Sequence, residues 1–218
     1  MNAISNMVWV LNFFEIAACI TGFISFKKLK NTYWKWLPFY LFFIVCLEFT
    51  GRYFASTEQY AANLLLFKYI GFPAQFFFFY FMFYKHRYYT NKSGLVVAGG
   101  IIYLTSIIIE TIFLEKKYYW FHSFSYSVGN VILLVLLLTY FFTLIKGKDI
   151  LYFSNSLMFW FSLGLLVYYL GTLPYWALRN MLIMKYRSVF ESYSYVMLVL
   201  NYCMYLLFIT GIIKCRPK

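Results

Sequence analysis

Seven long apolar runs, divided by short charged or turn-forming stretches, limit how this chain can fold. The runs cover residues 7–26, 37–54, 64–84, 95–114, 124–145, 157–178 and 193–213. Between them stand KKLKNTYWKW, ASTEQYAAN, KHRYYTNKSG, EKKYYWFH, KGKD and RNMLIMKYRSVFE. A helix crosses a bilayer with roughly 20 apolar residues, so every run is long enough to span. A soluble domain carries about 25% charged residues. Here only 12% of the 218 residues are charged, too few to cover a soluble surface. The expectation is an all-α, polytopic membrane protein, a single seven-helix transmembrane bundle over residues 1–218. A count of six, with one run dipping back, is the competing assignment.

Short loops rich in Lys and Arg stay cytoplasmic. Lys27, Lys28, Lys30, Lys35, Lys85, Arg87, Lys92, Lys146, Lys148, Lys214, Arg216 and Lys218 fall on one side of the seven-run map. Arg52, Lys116, Lys117, Arg179, Lys185 and Arg187 fall on the other. The expected topology has the N-terminus outside and the C-terminus cytoplasmic. MNAISN precedes the first run without a basic segment, unlike a cleaved signal peptide. The net charge of +12 is explained by this loop bias and by attraction to anionic lipid, so no nucleic-acid partner is expected.

Residues three or four apart share a helix face. On that rule the runs carry polar stripes: Asn12, Glu15, Cys19 and Gly22; Glu48 and Arg52; Lys68, Phe72 and Gln75; Gly99, Tyr103, Ser106 and Glu110; Ser123, Ser127 and Asn130; Gly164, Tyr168, Gly171 and Tyr175; Glu191, Ser194, Asn201 and Tyr205. Ionisable groups inside membrane helices face protein, water or a functional cavity. With the N-terminus outside, Glu15, Glu48, Arg52, Lys68, Glu110, Asn130 and Tyr168 lie in outer halves, and Gln75 and Asn201 lie nearer the middle. Those nine are the candidate ligand-binding residues, around a pocket that opens outward. Glu48 and Arg52 can also bridge at i, i+4 as internal neutralisation. Pro73 is expected to kink its run beside Gln75, and Pro174 to kink or end its own. Gly164 and Gly171 suit close helix packing. Trp120 and Trp176 read as interfacial anchors.

Several chemistries find no footing. His86 and His122 should sit a bilayer apart, which removes a histidine-rich metal site, and no cofactor is expected. Cys19, Cys46, Cys203 and Cys215 show no CxxC spacing and read as thiols. There is no phosphate-binding glycine loop, and the last run lacks the lysine that a retinal Schiff base needs. The remaining reading is a sensor or accessory subunit that binds a small polar or amphipathic ligand and acts through a protein partner or a homo-oligomer. The alternatives are a carboxylate-dependent enzyme on a lipid head group, using Glu15, Glu48, Glu110 or Glu191, and a small transporter or oligomeric pore.

The segments NLLLFKYIGFPAQFFFFYFMFY, FWFSLGLLVYYLGTLP and LNYCMYLLFITGIIKCRPK resemble a group of small, uncharacterised seven-helix proteins common in Bacteroidota. The resemblance spans about the last four-fifths of the chain. It implies a multi-pass inner-membrane protein and brings no assigned activity. Relatives in that group often carry a glutamate near Gln75, where this chain has no carboxylate.

Overall fold

The computed structural model describes residues 2–86, 89, 93–114, 121–147 and 153–215. The loop residues Arg87, Lys92, Lys116, Lys117, Lys148, Arg216 and Lys218, and Trp120, lie outside that set. Among the described residues, seven helices are long and apolar enough to cross a membrane: α1 (Asn6–Ile24), α2 (Tyr33–Ser56), α3 (Tyr60–Lys85), α4 (Ser93–Phe113), α5 (Ser123–Lys146), α6 (Leu157–Ala177) and α7 (Arg187–Lys214). The chain is an all-α, multi-pass membrane protein. All seven sequence runs became helices, because apolar side chains need no water and every backbone polar group must then be satisfied within its own helix.

The differences lie at the ends. RNMLIMKYRSVFE, expected as a separator, holds a short helix, Arg179–Lys185, and the first turns of α7. Leu, Met, Arg and Lys are strong helix formers, and their propensity outlasts the apolar run. Pro174 does not end α6, which continues to Ala177. Pro73 acts through a wider turn: Phe67–Gly71 is a π-helical segment, and the Phe72 N–H donates to the Phe67 carbonyl five residues back. Such a turn eases the carbonyls away from the proline ring that follows. A second π segment, Glu110–Leu114, ends α4.

The turn after α2 is a Schellman cap. Gln59 N–H donates to the Phe54 carbonyl at 2.8 Å and Glu58 N–H to that of Ala55 at 3.3 Å. Glu58 itself sits at φ 58°, the left-handed position where glycine is usual. Replacing Glu58 with Gly is expected to raise stability by about 0.5–1 kcal/mol by relieving that strain. A rise in the thermal midpoint in nanodiscs checks it, and a fall would show that the carboxylate makes a needed contact.

The chain packs as two compact units. One comprises Met1–Cys46, Leu137–Thr172 and Ser192–Lys218; the other comprises Leu47–Leu136 and Leu173–Glu191. In the first, α6 and α7 approach closely at glycines. A Cβ on Gly164 would lie 3.2 Å from the Met204 carbonyl oxygen, and one on Gly171 would lie 2.5 Å from Leu200 Cδ1. Phe161 stacks on Phe208 at 4.9 Å, with Trp34 edge-on to Phe161 at 5.4 Å. Tyr193 donates its hydroxyl to the Gly171 carbonyl at 2.7 Å, three residues before Pro174.

In the second unit, the phenylalanine-rich stretch of α3 buries Phe76, Phe79, Tyr80, Met82 and Phe83 and leaves Phe77 39% exposed. That is one helical face turned to protein and the other left for lipid. Tyr80 donates to the Gly129 carbonyl at 2.8 Å, and Tyr89 to that of Leu136. Among the described residues, which include all four cysteines, no disulfide forms.

Candidate functional site

The second unit contains a narrow cleft of about 10 Å³, room for roughly one water molecule, lined by Lys68, Phe72, Tyr103, Ile107, Phe121, His122, Ser125 and Tyr126. Three elements build it, each for a local reason. The π turn of α3 carries Lys68, which is 2% exposed with its ammonium 5.0 Å from the Tyr69 ring centre. The periodic face of α4 supplies Tyr103 and Ile107. The first turn of α5, with the residues just before it, supplies Phe121, His122, Ser125 and Tyr126. Single π turns inside α-helices recur at functional sites. Here one carries Lys68, and the other opens with Glu110.

Glu110 shapes the α5 side of the cleft. Its Oε1 accepts the Phe124 N–H at 3.0 Å, and its Oε2 accepts both the N–H and the hydroxyl of Ser125 at 2.6 Å. The first N–H groups of a helix have no intrahelical partner and carry partial positive charge. A carboxylate from α4 thus caps α5, and both its oxygens are taken up in doing so. Asn180 seals the same end. Its side chain accepts from Phe121 N–H at 3.3 Å and donates to the Phe121 carbonyl at 2.9 Å and to Ser123 Oγ at 3.3 Å.

An aromatic wall stands beside these groups. Trp176 packs at 4.9 Å from Phe121, 5.1 Å from Tyr126 and 5.2 Å from Phe72. Trp176, expected from the sequence as an interfacial anchor, finds three aromatic partners within the protein. The Arg179 guanidinium lies 5.1 Å from the Phe121 ring centre and 5.8 Å from that of Trp176. Burial pushes the Arg179 pKa below its ordinary value, with nearby Tyr175 acting in the opposite sense.

The nine sequence candidates divide between the two units. Glu48, Arg52, Lys68, Gln75, Glu110 and Asn130 belong to the second. Lys68 lines the cleft, and Glu110 holds Ser125 on its wall. Asn130 is fully buried, and Gln75 is half-buried on α3. Glu48 and Arg52 are half-buried on α2 and interact electrostatically, as the i, i+4 spacing suggested.

Glu15, Tyr168 and Asn201 belong to the first unit. There Glu15 is 3% exposed, and Glu15 and Tyr168 both act electrostatically on Tyr40. Asn12, one turn before Glu15, is buried with neither its amide oxygen nor its nitrogen hydrogen-bonded among the described residues. Asn201 is half-buried. Glu191, an outer carboxylate of the enzyme reading, is exposed and bridges to Arg187 at 3.0 Å.

Sequence reasoning missed His122 and Ser125 as cleft residues. Their spacing of three at the start of a helix put them on one face, and that signal was available. Tyr103 was placed on the right stripe without being counted as a site residue.

Taken together, the fold and the cleft define a multi-pass membrane protein with a small polar cleft at the beginnings of α3 and α5 and the end of α4. The chain matches no protein family, no curated protein and no solved structure.

Proposed function

We propose that this protein is a membrane sensor or accessory subunit that binds a small polar or amphipathic ligand in the cleft around Lys68. The observation that carries the reading is a buried lysine, an imidazole and a serine meeting at one cleft between two π turns. Burying an ammonium group within a membrane helix is costly and is retained where it serves a pathway, a pair or a ligand. The lysine-rich loops favour an inner-membrane protein with its N-terminus outside. In that topology α3 begins, α4 ends and α5 begins on the outer side, so the cleft opens outward. The short cytoplasmic loops leave signalling to a protein partner or a second copy of the chain.

Binding is favoured over carboxylate-dependent catalysis by the state of Glu110. The cleft lining has no carboxylate, and the one that holds Ser125 is committed to three hydrogen bonds at the start of α5. A carboxylate acting as general acid or base needs a free oxygen within reach of substrate.

Native mass spectrometry of the protein extracted in its own lipid tests the reading. The wild type should carry a bound small molecule that is missing from Lys68→Met, while a Glu191→Gln control keeps it. Identical spectra for the three proteins would refute a ligand at this cleft.

A further inference from the structure

The loop that joins α1 to α2 folds into fixed turns and presents its lysines outward. Phe26–Leu29 forms one helical turn, and Tyr33–Lys35 is a 3-10 turn that opens α2. Backbone bonds run through the connection: Lys30 N–H donates to the Phe26 carbonyl at 2.9 Å, and Thr32 N–H to that of Leu29 at 3.0 Å. Thr32 then caps the next turn, its hydroxyl oxygen accepting the Trp34 N–H at 3.3 Å. Two apolar side chains pin the loop to its unit. Leu29 is 1% exposed and Trp34 is 3% exposed, the latter edge-on to Phe161 at 5.4 Å. Around these anchors Lys27, Lys28, Lys30 and Lys35 are all exposed.

The four charges have no counterpart nearby. Among the described residues of this unit the one acidic residue, Glu15, is buried within α1, and no carboxylate pairs with any of the four lysines. Directly beside them the surface is apolar. Ile24 is 78% exposed, and Phe23, Trp36 and Phe39 are 41%, 49% and 48% exposed. The Lys35 ammonium lies 5.5 Å from the Trp36 ring centre. Tryptophan and lysine meet in this way at head-group depth, the ring toward the acyl chains and the ammonium toward water. Setting topology requires the charges alone; it does not require a fixed loop to carry them. We infer that the α1–α2 loop is a docking site for an acidic phospholipid, its phosphate held by Lys27, Lys28, Lys30 and Lys35 and its acyl chains lying along the apolar strip below. An acidic protein segment would match the charge and leave that strip uncovered, whereas a lipid covers both. The site is separate from the Lys68 cleft and independent of any ligand there.

The test is native mass spectrometry of the protein released from nanodiscs made of equal parts phosphatidylcholine and phosphatidylglycerol. Both lipids carry a phosphate, and only phosphatidylglycerol carries a net charge. The wild type should retain phosphatidylglycerol in preference. Each lysine close to an anionic surface is worth on the order of fivefold in affinity, so Lys28→Gln/Lys30→Gln should lower the retained phosphatidylglycerol by about tenfold or more. Lys28→Arg/Lys30→Arg keeps the charge and should keep the lipid. Lys85→Gln/Lys146→Gln removes the same charge outside the loop and should change retention by less than about twofold, because salt screens charges beyond a Debye length. Lys35→Gln alone, a milder change should the double variant fail to insert, should lower retention about fivefold.

Equal retention of the two lipids by the wild type would overturn the proposal. Equal losses from the two double glutamine variants would overturn it as well, since charge anywhere near the membrane would then suffice. Capture of polyglutamate by the wild type in phosphatidylcholine discs, lost in Lys28→Gln/Lys30→Gln, would overturn the lipid in favour of an acidic protein. Each of these results leaves the reading of the Lys68 cleft untouched.

Discussion

Glu110→Ala is expected to destabilise the protein by about 3 kcal/mol, because it strips a buried helix start of its acceptor. The carboxylate accepts from Phe124 and Ser125 N–H and from the Ser125 hydroxyl, at 2.6–3.0 Å, and Glu110 is only 7% exposed. Without it, two backbone N–H groups at the head of a 24-residue helix face an apolar surrounding with no water to replace the loss. A cap exchanged at an exposed helix end costs about 1 kcal/mol; charge and burial raise this one. Ser125→Ala removes only the hydroxyl bond and should cost about 1 kcal/mol. Glu110→Gln retains one acceptor oxygen and should fall between them. Denaturant or thermal midpoints in nanodiscs rank the three. Equal midpoints for Glu110→Ala and wild type would mean the cap does not hold α5.

Gly129→Leu should be comparably damaging, by about 3 kcal/mol, for the opposite reason. A Cβ at Gly129 would sit 2.8 Å from two ring atoms of Tyr103 and 3.2 Å from Phe76. Neither ring can swing aside easily. Tyr103 is fixed by Phe76 at 5.0 Å, Phe77 at 5.6 Å and Tyr80 at 6.1 Å, and Tyr80 is itself bonded to the Gly129 carbonyl. Rigid rings turn a small overlap into displacement of α4 from α5, where a flexible side chain would absorb it. Gly129→Ala should cost about 1–2 kcal/mol. Because Tyr103 lines the cleft, the leucine variant should also lose any molecule bound there. A folded Gly129→Leu protein with an unchanged midpoint would show that the rings have more freedom than their packing implies.

These two positions also show how far the sequence reaches. Glu110 was legible as an inward-facing residue, since Gly99, Tyr103, Ser106 and Glu110 recur at helical spacing, and all four are buried. The same rule placed Asn12, Glu15, Cys19 and Gly22 on one face of α1, and that face is buried too. Periodicity within a helix is a local property, so one chain suffices to read it. What Glu110 touches was not legible. Its partners lie fourteen and fifteen residues away on α5, across a loop, and nothing in the spacing fixes how one helix turns toward the next. Gly129 gave no signal at all, because a glycine in a membrane helix has many uses and its tyrosine neighbour is on another helix.

The sequence by itself determined that the chain is all-α, that it has seven membrane-length helices, and which face of several of them turns inward. Apolar run length and the 3.6-residue period dictate those features before any helix meets another. Only the tertiary structure decided which polar residues gather. It drew His122 and Ser125 in beside Lys68, turned Glu110 into a cap, and packed Trp176 on an aromatic wall. It also assigned Glu15, Tyr168 and Asn201 to a different unit from Lys68. Such groupings depend on how side chains of separate helices interlock, and that is settled by packing between elements distant in the chain.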